Sequence, residues 1–148
     1  MTYPNGLHGN VIGGDACKLP LPEGFVSKMA LHCSFEHFEG NADTLFRQEA
    51  SRVLAIGGKL CILPVYLTQR FGILTNPVLV PKKMVFDEEA LLYCEKRHIG
   101  RHGRFYDAKH FVERIVSKSD LKLTLYVITN ATEIDPSCYL KFMALFEK

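Results

Sequence analysis

Residues 41–65 read NADTLFRQEASRVLAIGGKLCILPV, and the fold turns on how this stretch divides. Phe46, Ala50, Val53 and Leu54 recur at i, i+4, i+7 and i+8, which places them on one stripe of a helix. Arg47, Gln48, Ser51 and Arg52 fall away from that stripe. Asn41 stands where a side chain can cap the first turn, and Asp43 favours the positive end of a helix. The spacing therefore predicts a helix over Asn41–Ile56. Gly57-Gly58 predicts its end, because glycine enters the left-handed turn without a Cβ penalty. Lys59–Val65 follows at once, and its apolar run Leu60-Cys61-Ile62-Leu63 suits a strand buried on both faces.

Upstream, Phe25–Leu31 reads as a strand. Leu19-Pro20-Leu21-Pro22 forbids a helix before it, since proline disfavours helical geometry in the preceding residue. Asn10–Gly14 is a short apolar stretch. Downstream, residues 66–86 read as irregular, with Gly72, Pro77 and Pro81. Residues 87–98 are ambiguous: Asp87-Glu88-Glu89 could open a helix, and Leu91-Leu92-Tyr93-Cys94 could equally be extended. Ala108–Lys118 reads as a helix with Phe111, Ile115 and Val116 on its apolar side. Leu121–Thr129 alternates like a strand, Asp135-Pro136 marks a turn, and Tyr139–Phe146 is a final strand. This order argues for an α/β domain. The first strands should be parallel. The last two are joined too closely for a crossover helix and should pair antiparallel.

The chain has 148 residues, 47% of them hydrophobic and 23% charged, with net charge +2. That is the balance of a single domain spanning 1–148. Ten Phe and six Tyr exclude a disordered chain. A charge of +2 gives no argument for nucleic acid as a partner. No apolar run approaches the ~20 residues of a membrane-spanning helix. Met1–Gly6 has no basic start followed by an apolar run, so no secretory signal is expected and the location expected is cytoplasmic. Five cysteines without a Cys-x-x-Cys suit reduced thiols better than a disulfide framework.

Three segments carry a resemblance: Gly14-Asp15-Ala16-Cys17-Lys18-Leu19-Pro20-Leu21-Pro22, Leu31-His32-Cys33-Ser34-Phe35-Glu36-His37-Phe38, and Arg52-Val53-Leu54-Ala55-Ile56-Gly57-Gly58-Lys59-Leu60. In this order and spacing they resemble the second half of a class I S-adenosylmethionine-dependent methyltransferase of the type 11-like kind. The resemblance implies a partial Rossmann-like methyltransferase sheet, mostly parallel, with an antiparallel C-terminal strand pair. It departs from the family pattern at Val26, where Asp is usual, and at Ile56, where Pro is common. The family's glycine-rich loop is not found. In Gly6–Gly14 no apolar strand precedes the glycines, and Leu19-Pro20 follows where a helix should start. The expectation is thus an N-terminally truncated domain lacking the first strands and that loop.

The resemblance also implies roles. S-adenosylmethionine would be the cofactor, with the Asp15 carboxylate at the adenine amine, the Ala16 N–H at a ring nitrogen, and Cys17 beside them. The competing reading is that Asp15 merely caps the following turn. His32 and Cys33 would flank the cofactor at the strand end. Glu36 and His37 would stand where substrate enters, His37 as a general base; the competing reading is a structural His–Glu pair. Tyr66 would line the same mouth. Arg101 and Arg104, in the basic run Lys96–Arg104, would bind an anionic acceptor, or else belong to a solvated loop. Some relatives hold a divalent ion on Glu-x-x-Glu-His, but Cys33 occupies the first Glu position and suits no hard cation, so no metal is expected. A zinc site on Cys33, Glu36, His37 and a distant His is the alternative. The implied activity is methyl transfer to an unidentified small acceptor, an anionic one if the arginines of the basic run face it. The alternative is an inactive fragment that serves as an oligomerisation or partner-binding module. In a truncated sheet the strand before Leu31 would be an exposed edge, so a homodimer or a partner chain is expected to cover it.

Overall fold

The computed structural model describes residues 4–80, 84 and 86–148. Met1–Tyr3, and Pro81–Lys83 and Val85 of the stretch expected to be irregular, lie outside the described residues. The chain begins with a hairpin of β1 (Gly6–His8) and β2 (Val11–Gly13). The expected strand follows as β3 (Val26–His32), then a single 3₁₀ turn at Phe35–His37. Next come the helix α1 (Ala42–Val53) and the long strand β4 (Leu54–Leu63). Three short strands, β5 (Gly72–Thr75), β6 (Leu91–Cys94) and β7 (Gly103–Phe105), precede the helix α2 (Ala108–Arg114) and a 3₁₀ turn at Val116–Lys118. The chain closes with β8 (Lys122–Val127), the one-turn helix α3 (Ala131–Ile134) and β9 (Phe142–Glu147).

The main sheet has the order β3-β4-β9-β8. β3 and β4 are parallel, as α1 between them allows, and β9 runs antiparallel to both β4 and β8. Residues 130–137 hold only α3, so the last pair is antiparallel as expected. Alternate residues of the strands face the helices. Leu60, Ile62, Ala144 and Phe146 are fully buried and pack with Phe46, Ala50, Leu54, Phe111 and Ile115. Fully burying one such side chain stabilises by about 1.5–3 kcal/mol. The opposite face, with Lys28, Ala30, Lys59, Cys61 and Leu145, borders an open groove, and β3 is an edge strand.

The helix ends three residues earlier than its periodicity suggests. Leu54 is already extended (φ −68°, ψ 133°) and pairs with Val26. The register then shifts so that Lys28 faces Lys59, and Gly57 sits in the resulting bulge at φ +73°. The far end of the chain caps this turn. Lys148 Nζ donates to the Ser51 and Leu54 carbonyls at 2.7 and 2.8 Å, and its N–H and C=O pair with Gly58 and Gly57. It satisfies the orphan carbonyls of the last turn as a cation should.

Two further expectations are corrected. Asn41 makes no side-chain cap; its carbonyl accepts from Leu45 instead, while Asp43 Oδ1 takes the Thr44 N–H. Arg47 does not lie on the solvated side of α1. Its side chain is fully buried, with the guanidinium 3.9 Å from the Phe146 ring centre and one bond to Ser119 Oγ. Burial pushes it down to about 10. The packing of α1 against β9 and the turn at Ser119 covers a flank that the helical period alone leaves exposed.

The second sheet, of order β6-β5-β7, occupies residues expected to be irregular, ambiguous or a basic loop. Leu91–Cys94 is the extended alternative of the two readings. Tyr106 N donates to Tyr66 O and Thr68 N to Tyr106 O, which ties this sheet to the end of β4.

Candidate functional site

Parallel strands present ligand sites at their carboxyl ends, where connections diverge and leave a crevice. β3 and β4 end side by side at His32 and Leu63, and the Cys33 N–H extends the ladder to Leu63 O. Cys33 then adopts φ +49°, a left-handed turn unusual for a residue with a Cβ. It redirects the chain into the 3₁₀ turn that carries Glu36 and His37. Beyond β4, Tyr66 is held by its bond from Tyr106. A cavity of about 200 Å3 opens between these segments. Glu36, His37, Tyr66 and Arg104 line it, joined by Leu74 of β5, Gly103 and Phe105 of β7, and His98 of the preceding loop.

Residue 102 locks Glu36 and His37 in place through a reciprocal pair of bonds. His37 Nδ1 bonds His102 O, and His102 Nδ1 bonds Glu36 O at 3.1 Å. A carbonyl only accepts, so both Nδ1 atoms carry the proton. His37 Nε2 is left free to take a proton and lies 3.8 Å from Glu36 Oε1 on a half-exposed ring. Burial holds His102 below the ordinary imidazole value, which keeps it neutral at pH 7. Glu36 is only 9% exposed, and its Oε2 has no hydrogen-bond partner. His98 Nε2 is likewise buried without one. Burial, and then the Glu36 charge, push the Tyr66 phenol up to about 12, so it stays a neutral hydroxyl.

The two arginines have partners of their own. Arg104 is fully buried, and its guanidinium donates to Asp87 Oδ2 and to the Phe38 and Gly40 carbonyls, with Asp43 Oδ2 at 3.0 Å. Arg114 holds both Asp43 oxygens and reaches Asp87. Burial raises Asp43, but bonds from Arg114 and the charges of Arg104 and Arg114 outweigh it and hold its carboxyl below the usual range. Arg101 is half-exposed and pairs with Glu39. Neither guanidinium is free for an anion in this arrangement.

Asp15, Ala16 and Cys17 form a tight turn against α1, in which Asp15 Oδ1 accepts from the Cys17 N–H at 2.8 Å. The Cys17 thiol bonds Ala42 O, and burial pushes it up to about 11. Glu49 and Arg52 of α1 anchor the next residues by bonds to Leu19 N, Leu19 O and Leu21 O. His32 and Cys33 stand together at the end of β3. Cys33 Sγ lies 3.6 Å from His32 Nε2 and 3.1 Å from the Tyr139 hydroxyl. Among the described residues, no three His, Cys, Asp or Glu are placed to hold a metal ion. No described helix is long and apolar enough to cross a membrane.

His98 and Gly103 lie in the basic run that sequence reading singled out for its arginines instead. Leu74 and Phe105 carried no signal, because their strands are short and exist only through pairing.

No family model and no curated protein matches the sequence. Solved structures do match the backbone. A 1,6-didemethyltoxoflavin-N1-methyltransferase of Burkholderia thailandensis, with bound 1,6-didemethyltoxoflavin and S-adenosylhomocysteine, gives a TM-score of 0.57 at 11% identity over 90% of this chain and 48% of that one. An S-adenosylmethionine-dependent methyltransferase of Methanosarcina mazei gives 0.56 at 12% identity, over 98% of this chain and 72% of that one. Another from Mesorhizobium loti gives 0.57 at 11% identity, over 91% and 68%. The chain thus has the mixed α/β, Rossmann-like fold of these proteins and spans about half the length of the first.

Proposed function

We propose that this chain carries part or all of an S-adenosylmethionine-dependent methyl-transfer site acting on a small acceptor. One observation carries the reading: the cavity of Glu36, His37 and Tyr66 opens where parallel β3 and β4 end, in a fold shared with methyltransferases. The turn at residues 15–17 fits an adenine edge. Asp15 accepts from the Cys17 N–H at the rim of this turn, and the Ala16 N–H has no backbone partner among the described residues. His32 and Cys33 would border the same ligand with Cys17. The cofactor, when bound, supplies an electrophilic methyl group. His37 Nε2 would accept the acceptor's proton, with the Nδ1–H bond to His102 O fixing the ring and Glu36 stabilising the charge that forms. Tyr66 would exclude water, and Arg101 would remain at the rim. Alignment of acceptor and methyl group accounts for most of such a rate enhancement. A second copy along the unpaired β3 edge belongs to the same reading; a strictly monomeric chain at high concentration removes that part.

Calorimetric titration of S-adenosylhomocysteine into the purified chain tests the reading. Binding in the micromolar range, weakened about tenfold by Asp15→Ala, is expected for loss of a charged hydrogen-bond partner. Unchanged affinity in that variant removes the adenine assignment, and no binding to the parent chain refutes the cofactor reading.

A further inference from the structure

Charge accounting around the cavity points to the kind of molecule it takes. Arg104 and Arg114 with Asp43 and Asp87 form an internally neutral group. Arg101 with Glu39 is another neutral pair. Burial holds His102 neutral, and His37 Nε2 lies 3.8 Å from Glu36 Oε1. Glu36 lines the cavity with its Oε1 toward His37, while its Oε2 is buried and has no donor. A desolvated carboxylate oxygen with no donor is costly, and a ligand N–H would relieve that cost. His98, also lining the cavity, has a buried Nε2 that is a second polar atom without a partner. Leu74, Tyr66 and Phe105 line the same cavity and offer apolar surface suited to a flat ring. The cavity of about 200 Å3 equals roughly seven waters at ~30 Å3 each, which is room for one ring and a short substituent.

We propose that this cavity selects a small planar ring bearing N–H donors, neutral or cationic, and rejects carboxylates and phosphates, with Glu36 as the specificity-determining residue. The selection rests on reading the cavity as the acceptor site, but its test does not need turnover. Benzamidine and its near-isostere benzoate are titrated into the full chain by calorimetry, with two-dimensional amide spectra to locate binding. Benzamidine should shift the Glu36, Tyr66 and Phe105 signals and bind at least about tenfold more tightly than benzoate, the scale of one charge-assisted hydrogen bond. Glu36→Gln should erase most of that preference. Equal binding of the two probes, no binding of either, or a preference unchanged in a folded Glu36→Gln chain overturns the proposal. If that variant fails to fold, the comparison of probes on the parent chain decides alone. S-adenosylhomocysteine, titrated separately, judges the transfer reading: its binding without probe selectivity sinks this inference only, and selectivity without its binding sinks the transfer reading only.

Discussion

Asp43→Asn removes one charge from the most buried ionic group in the described chain. Asp43 is fully buried and accepts from Arg114 Nε and Nη2, from the Tyr106 hydroxyl and from the Thr44 N–H, with Arg104 Nη1 at 3.0 Å. Asparagine keeps one acceptor and turns an NH2 toward groups that are themselves donors. Arg104, also fully buried, is left sharing Asp87 with Arg114. Removing one partner from such a group costs about 3–5 kcal/mol, because a buried charge is stranded. For a chain of this size that is a fall in Tm of about 6–20 °C, at ~2–4 °C per kcal/mol. The pH dependence has a definite sign. The folded Asp43 carboxyl titrates below its unfolded value of about 3.9, so its stabilisation is fully present above that pH. It is lost as pH falls through the folded value. Urea denaturation of parent and variant from pH 7 downward should therefore show a gap that closes toward acid. A gap under ~1 kcal/mol at pH 7, within the range of ordinary substitutions, would refute the reasoning. So would a gap that stays constant into strong acid.

Two further substitutions probe the packing behind the cavity. Gly72→Ala would bring a Cβ to 2.6 Å from the Phe105 ring and 2.9 Å from Leu91 O, so a loss of about 1–3 kcal/mol in urea denaturation is expected. Because Phe105 forms a wall of the cavity, benzamidine binding should weaken in the same variant. Arg47→Met replaces a buried guanidinium that has no carboxylate partner and two unsatisfied nitrogens. Its stability should be unchanged or raised by up to ~4 kcal/mol. A clear loss in thermal melts would show that the stack on Phe146 and the bond to Ser119 outweigh the burial of the charge.

Much of the main sheet was legible because its cues are local. The period of Phe46, Ala50 and Val53, the apolar run Leu60–Leu63 and the alternation after Leu121 each lie within one element. The same holds for Glu36, His37 and Tyr66, which sit just beyond the strands that deliver them. What escaped the sequence depends on residues far along the chain. α1 stops at Val53, where Leu54 pairs with Val26 and Lys148 takes the Ser51 and Leu54 carbonyls. Arg104 became part of a buried ionic group rather than a free anion ligand because Asp43 and Asp87 meet it there. β5, β6 and β7 are three or four residues each, too short to leave a period and stable only once paired. For the main sheet, the sequence by itself determined which segments are helix or strand and which strands run parallel or antiparallel, since hydrophobic spacing expresses the faces they bury. Tertiary structure alone decided which charges are neutralised and which carboxylate oxygen is left open. Pairing between charges depends on three-dimensional distance, and spacing along the chain does not record it.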